Sequence, residues 1–254
     1  MTAGFLPGGE EEYLVRGRKY KGCCDRREGR GAVPTITLER VKQDPHVDTY
    51  LSCSDACLGA IGYTEHGYRH ANLVARIAQN IMLRLGYSDR EAELAAIAGY
   101  LHDIGNMVSR HGHGQTGALL AWHLLTRMGM PPEEVAVVVS AIGCHDPEDV
   151  GQPVHNVAAA LILADKADVH RSRVRNPDVS SFDIHDRVNY AVKHSFLWVD
   201  DKERAITLQL EIDTEISPVM DYFEIFLTRM IMCRRAASFL GCDFGLSIND
   251  VKLL

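Results

Sequence analysis

No apolar run in this 254-residue chain reaches the roughly 20 residues needed to span a bilayer without a charged or polar break. The opening segment, MTAGFLPGGEEEYL, lacks the basic stretch followed by an apolar one that marks a secretory signal. Positive charge is also scarce. Lys and Arg number 27 against 34 Asp and Glu, a net charge of -7, so the broad basic field of sequence-blind nucleic-acid binding is missing. Residues 180–254 likewise lack the alternating aromatic and basic residues of a nucleic-acid platform. The 7 cysteines are odd in number, scattered, and contain no CxxC pair. They exclude a disulfide framework and point to reduced thiols in the cytoplasm. Cys53 and Cys57 could share a helix face, but with no second pair nearby a structural zinc is not expected. There are no internal repeats. Present instead are the 46% hydrophobic and 24% charged residues of a globular chain with a real core, and 12 histidines, several of them between positions 66 and 145.

Residues 1–34, rich in Gly and charge, are expected to form a flexible tail. From Thr35 the pattern turns helical. Leu73, Val74, Ile77, Ile81 and Leu85 fall at helical spacing before a stop at Gly86. Ser88 and Glu91 make a capping box ahead of AELAAIAGYLHDIG, a helix apolar almost all round and so expected at the centre. Further helices are expected over Gln115–Met128, PPEEVAVVVSAIG and PVHNVAAALILADKADVH. The period then changes. Val188, Tyr190 and Val192 alternate, as do Phe196 and Trp198. Ile206, Leu208, Leu210 and Ile212 alternate without a fault, as in a half-buried antiparallel strand. A helix over VMDYFEIFLTRMIMCRRAASFLG and a short strand near Leu246–Ile248 complete the chain. The fold class is therefore mainly α: a helical bundle over residues 35–179 with a small C-terminal α+β appendage over 180–254.

His102 and Asp103 end the central apolar helix. Burying an imidazole and a carboxylate there is costly unless they pair or bind a cation, and the Ile-Gly break that follows lets them face a cavity. The competing reading is a plain buried His–Asp hydrogen bond. His70, near the start of an amphipathic helix, has His66 four residues earlier on the same face. His113 follows the His-Asp pair, His145 ends an apolar helix, and Asp165 lies on another. So many ligand-type groups at the ends of apolar runs are hard to explain by packing. His46, His123, His155, His185 and His194 lack such settings and read as surface or structural.

The order His70, His102–Asp103, Asp165 on successive helices resembles the HD superfamily of metal-dependent phosphohydrolases, over about residues 60–172. His113–Gly117 looks like the H-x-x-x-G segment of binuclear members, and Cys144–His145–Asp146 stands at the paired-histidine motif. The resemblance implies a helical bundle around one or two divalent ions, with His70, His102, Asp103 and Asp165 on the first and His113 and His145 on the second. His111 is the rival of His113, and His66 resembles a position from which some members add a ligand. Two departures are visible. Asn106 follows His-Asp-Ile-Gly where Lys is common, and there is no second adjacent histidine or Gly-Tyr-Pro near position 145, which argues against a cyclic dinucleotide substrate.

Mixed His and carboxylate donors suit Mn or Fe, with Mg, Co, Ni or Zn as alternatives. The function implied is hydrolysis of a phosphate ester or anhydride, on a small nucleotide-like substrate, by metal-activated water. Asp103 is the natural bridge, since a carboxylate has two oxygens to share. Lys166, Arg171, Arg173 and Arg175 follow Asp165. Lys166 and Arg171 are the candidates to receive phosphate, with Arg110 a further one, whereas Arg175 reads as a solvated helix end. Asp168 could accept a proton near the site or pair with Arg171. The alternatives are a nucleotide-binding signalling module with reduced catalysis and a di-iron HD-type oxygenase. The apolar stripe Phe223, Phe226, Leu227, Met230 and Ile231 points to a homodimer through residues 180–254, the alternative being that the helical domain covers this face. Sedimentation equilibrium is expected to give twice the 28.2 kDa chain mass; the monomer mass at micromolar concentration would exclude the dimer.

Overall fold

The computed structural model describes residues 12–15, 18–21, 35–146 and 151–254. The chain divides into two compact units, residues 1–34 and 35–254. In the first, β1 (Glu12–Val15) pairs antiparallel with β2 (Arg18–Lys21). The expectation of a flexible tail otherwise falls outside the described residues.

The second unit begins with seven helices: α1 (Leu38–Lys42), α2 (Pro45–Ala60), α3 (Tyr68–Arg84), α4 (Asp89–Leu101), α5 (His113–Met128), α6 (Pro132–Gly143) and α7 (Asn156–Lys166). Local chemistry sets their ends. Asp44 accepts from the His46 and Val47 amides at the start of α2. Ser88 and Glu91 form the full capping box of α4, and His155 caps α7 through Ala158 N–H while meeting Ser140 Oγ at 2.8 Å. That gives His155 the structural role its sequence setting suggests.

The core centres on α4 and α7. Every residue from Leu94 to Leu101 is buried, as is every residue from Val157 to Ala164. Many are alanines, so the axes come close. At Gly99 a Cβ would lie 2.9 Å from the Ala75 backbone, so only glycine lets α3 and α4 pack at this separation.

The C-terminal part contains α8 (Ile184–Ala191), β3 (Val192–Asp200), β4 (Ala205–Ile212), α9 (Val219–Phe239), β5 (Asp243–Ile248) and β6 (Val251–Lys252). The sheet order is β3-β4-β5-β6. Two details differ from the sequence reading. Val188 and Tyr190 lie on a helix, because Asp183 caps α8 through the Asp186 amide and Ile184, Val188 and Ala191 share one helical face. The strand begins only at Val192. The sheet is also mixed. β3 and β4 run antiparallel, but β5 adds parallel to β4, because α9 carries the chain back across the sheet.

The alternation in β4 is as expected, with Ile206, Leu208, Leu210 and Ile212 all buried. Helix α9 packs on α7 as well as on β4, β5 and α8. Its Tyr222 and Phe226 are buried, while Met220, Leu227 and Phe239 stay exposed. Leu208→Glu, which places an unpaired charge in this core, is expected to cost several kcal/mol. It should lower the denaturation midpoint sharply; an unchanged midpoint would mean that the inner face of β4 tolerates charge.

Candidate metal centre

The backbone around His102 is held by close approach rather than by side chains. His102 ends α4, and a 3-10 turn over Ile104–Met107 follows Asp103. A Cβ on Gly105 would lie 2.0 Å from the His113 carbonyl oxygen and 2.5 Å from the Gly117 nitrogen. One on Gly117 would lie 3.0 Å from the His102 oxygen. These two glycines let the turn rest on the first turn of α5, which sets His102 and Asp103 beside His113. Ser54 Oγ donates to the Asp103 carbonyl at 2.7 Å from α2. Asn106 donates its amide to Asp103 Oδ1 at 2.9 Å.

His70 comes from the first turn of α3, His145 from just beyond α6, and Asp165 from the last turn of α7. Each of the four histidines has its Nδ1 committed. His70 Nδ1 faces Asp168 Oδ2 at 2.6 Å, and His102 Nδ1 faces the Gly99 carbonyl at 2.8 Å. His145 Nδ1 faces the Ile142 carbonyl at 2.6 Å. His113 Nδ1 meets both the Arg110 carbonyl at 3.0 Å and Asp146 Oδ2 at 2.8 Å. An acceptor at each Nδ1 satisfies a proton there and turns each Nε2 inward. The inward atoms converge: His70 and His102 Nε2 are 3.2 Å apart, and so are those of His113 and His145.

Asp103 stands between the two pairs. Its Oδ2 lies 3.5 Å from His70 Nε2 and 3.3 Å from His102 Nε2. Its Oδ1 lies 3.4 Å from His113 Nε2. Asp165 Oδ1 lies 3.5 Å from His70 Nε2 and 3.7 Å from His102 Nε2. Three overlapping groups result, each with donor atoms within 4.8 Å of one another: His70, His102 and Asp103; His102, His145 and Asp165; and Asp103, His113 and His145.

These donors fit a divalent cation. Asp103 Oδ2 is buried without a hydrogen-bond partner, and lone pairs facing each other at 3.2 Å repel unless a proton or a metal lies between them. The ionisation pattern has the same cause. Burial pulls His102 down, but Asp103 and Asp165 outweigh it and push its pKa up to about 10. Burial and the neighbouring His102 and His113 push His145 down to about 3. Asp103 is held well below the carboxylate range despite its burial, chiefly by His102. Asp165 is held low in the same way by Lys166 and His102.

Cations surround the cluster. Lys166 pairs with Asp165 and is buried. Arg110, Lys166, Arg173 and Arg229 line the small polar pocket that holds Asp103, His113, His145 and Asp165. Arg171 stands over the Tyr190 ring instead and lines neither this pocket nor the larger cavity beside it. It shares the short 3-10 turn Arg171–Arg173 with Arg173, and residues two apart on such a turn leave it in different directions. Arg175 pairs with Asp55.

Asp168 meets His70 and Arg69, not Arg171, and is buried beneath the cluster. Burial opposes its ionisation, but Arg173 and His70 hold its pKa far below the usual range. His66 lines both pockets, with its ring 5.3 Å from that of His70 and its Nδ1 committed to the Thr64 carbonyl at 2.7 Å. His111 is exposed and lines neither. The sequence reading gave no role to Asp146, although its place beside His145 was noted, and it missed Arg229 altogether. No local signal marks Arg229, which is one of several basic residues in an amphipathic helix.

Residues 67–170 match the family model described as HD domain. An uncharacterized protein of Methanocaldococcus jannaschii is 27% identical over 176 residues, which cover 60% of this chain and 67% of that protein. Residues 67–170 are therefore similar to an HD domain, and the six clustered His and Asp residues all lie within that match. Among the described residues, no helix is long and apolar enough to cross a membrane. Because Asp168 orients His70, Asp168→Asn is expected to weaken divalent-metal retention by about 10–100-fold in a chelator competition, with helical circular dichroism preserved. Unchanged retention would mean that packing alone sets the His70 ring.

Proposed function

We propose that this protein is a metal-dependent phosphohydrolase that cleaves a phosphate ester or anhydride. The observation that carries this reading is the division of Asp103, with one oxygen toward His70 and His102 and the other toward His113. In this reading His70, His102, Asp103 and Asp165 hold one ion, and Asp103, His113 and His145 hold a second. Mn or Fe suits this mixture of imidazole and carboxylate best. The chemistry that such an ion would supply when bound is an acidified water and a Lewis acid for a phosphoryl oxygen.

The chain's own groups do the rest. Lys166, Arg110 and Arg173 border the pocket and are placed to receive phosphate oxygens. Arg173 is fixed by its bond to the Asp168 carbonyl at 2.6 Å, so its position costs little to hold. Asp168 and Asp146 keep the His70 and His113 rings turned inward as positioning residues. Burial, then Arg173, holds the His66 imidazole well below its ordinary pKa, so it is neutral and can accept a hydrogen bond at Nε2. Arg171 has no part in this assignment.

Metal analysis of protein purified without chelator, followed by a phosphate-release screen, tests the proposal. His102→Ala and Asp103→Ala are each expected to lose bound metal and reduce hydrolysis to background while keeping helical content. His113→Ala should retain more metal than Asp103→Ala, since Asp103 serves both sites. Full metal occupancy in both the His102 and Asp103 variants would sink the assignment.

A further inference from the structure

Beside the metal pocket lies a cavity of about 390 Å³, large enough for a small metabolite. His66, Arg110, Arg173 and Arg229 line both spaces, which therefore adjoin. Asp183, His185, Asp186 and Asn189, from the start of α8, line only the larger cavity. The charge of the cavity is therefore polarised, with arginines toward the metal donors and carboxylates away from them.

Among the described residues, Arg229 at one end and Asp183 and Asp186 at the other have no salt bridge with a Lys, Arg, Asp or Glu. Arg229, from α9, lies over the Phe226 ring at 4.5 Å. Among the described residues it makes no hydrogen bond or ion pair; burial lowers its pKa, the nearby Asp165 carboxylate opposes that, and Arg173 and Arg110 add to the lowering. Asp183 accepts the Asp186 amide at 2.8 Å, and Asp186 meets Asn176 at 3.4 Å. Neither forms an ion pair with a Lys or Arg among the described residues. A guanidinium with no bonded anion and two carboxylates with no paired Lys or Arg, facing one cavity, suit a ligand with an anionic head and a hydrogen-bond-donating body.

The aromatic rings narrow the choice further. Phe226 carries Arg229 on one face, and Tyr63 carries Arg110 at 5.4 Å. Phe226 is moreover buried, so it offers no open face for a nucleobase to stack on.

We propose that this cavity binds a small polyhydroxylated molecule bearing a single phosphate, a sugar phosphate in chemical class. Arg229 grips the phosphate, and Asp183 and Asp186 accept from hydroxyls at the far end. The position of the phosphate rests on the phosphohydrolase reading above; the polarity of the cavity does not. A second phosphate at the far end would face both carboxylates, so bisphosphates are disfavoured. Arg229 lies outside residues 67–170, so the C-terminal part contributes directly to ligand choice.

Titration calorimetry of the metal-loaded full chain tests this with erythrose 4-phosphate, ribose 5-phosphate and glucose 6-phosphate as probes. Inorganic phosphate, glucose 1,6-bisphosphate and adenosine monophosphate serve as competitors. At least one sugar monophosphate is expected to bind tenfold or more tightly than each competitor. Arg229→Met should weaken it at least tenfold with metal content and helical content unchanged, and Arg229→Lys should restore part of the loss. Asp186→Asn should weaken the sugar monophosphate but not inorganic phosphate. The proposal is overturned if no sugar monophosphate outbinds inorganic phosphate, if the bisphosphate or adenosine monophosphate binds more tightly, or if Arg229→Met changes nothing. Hydrolysis of p-nitrophenyl phosphate by the same samples reports separately on the phosphohydrolase reading. Selective binding without that hydrolysis would overturn the enzymatic reading and support the ligand class; hydrolysis without selectivity would do the reverse.

Discussion

Four imidazoles whose Nε2 lone pairs face inward, with two carboxylates among them, form the constraint on which the rest of the structure depends. Such an arrangement is unfavourable in a dry core unless a cation or proton balances it. The surrounding helices hold it against that tendency by occupying every Nδ1. Backbone carbonyls of α4 and α6 hold His102 and His145, and the buried Asp168 and Asp146 orient His70 and His113. The carboxylates beneath the rings thus act on the site through the direction of each lone pair.

That geometry demands close helix packing, and the small residues supply it. The alanines of α4 and α7 and the contact at Gly99 bring α3, α4 and α7 near enough for side chains from each to meet. Gly105 and Gly117 do the same for the turn after Asp103 and the start of α5. The same packing carries outward. Helix α9 rests on α7, so a segment outside the HD match brings Arg229 into the lining of the small polar pocket. The clustered His and Asp residues lie within the match, whereas the cavity next to them also draws on residues beyond it, among them Asp183, Asp186 and Arg229.

Much of this was legible in the residues. The capping box at Ser88, the faultless alternation from Ile206 to Ile212, and His-Asp at the end of an apolar helix each state a local rule that the fold obeys. Period alone misled at Val188–Tyr190, where a cap at Asp183 outweighs three alternating residues. It was silent on the parallel pairing of β5, because strand direction depends on where α9 carries the chain. Arg171 and Arg173 read alike in sequence, and only the geometry of the turn between them sends one to Tyr190 and the other to the pocket.

By itself the sequence determined which residues end the apolar helices, and hence that His70, His102, Asp103, His113, His145 and Asp165 are ligand-type groups in costly surroundings. Burial cost is a local property, readable from each residue and its neighbours. Which of them face one another, how Asp103 divides its oxygens, and which cations border the site were decided only by the tertiary structure. Those outcomes depend on separations of a few ångströms between residues up to about a hundred positions apart, set by helix packing and by two glycines whose missing Cβ atoms let the backbones touch.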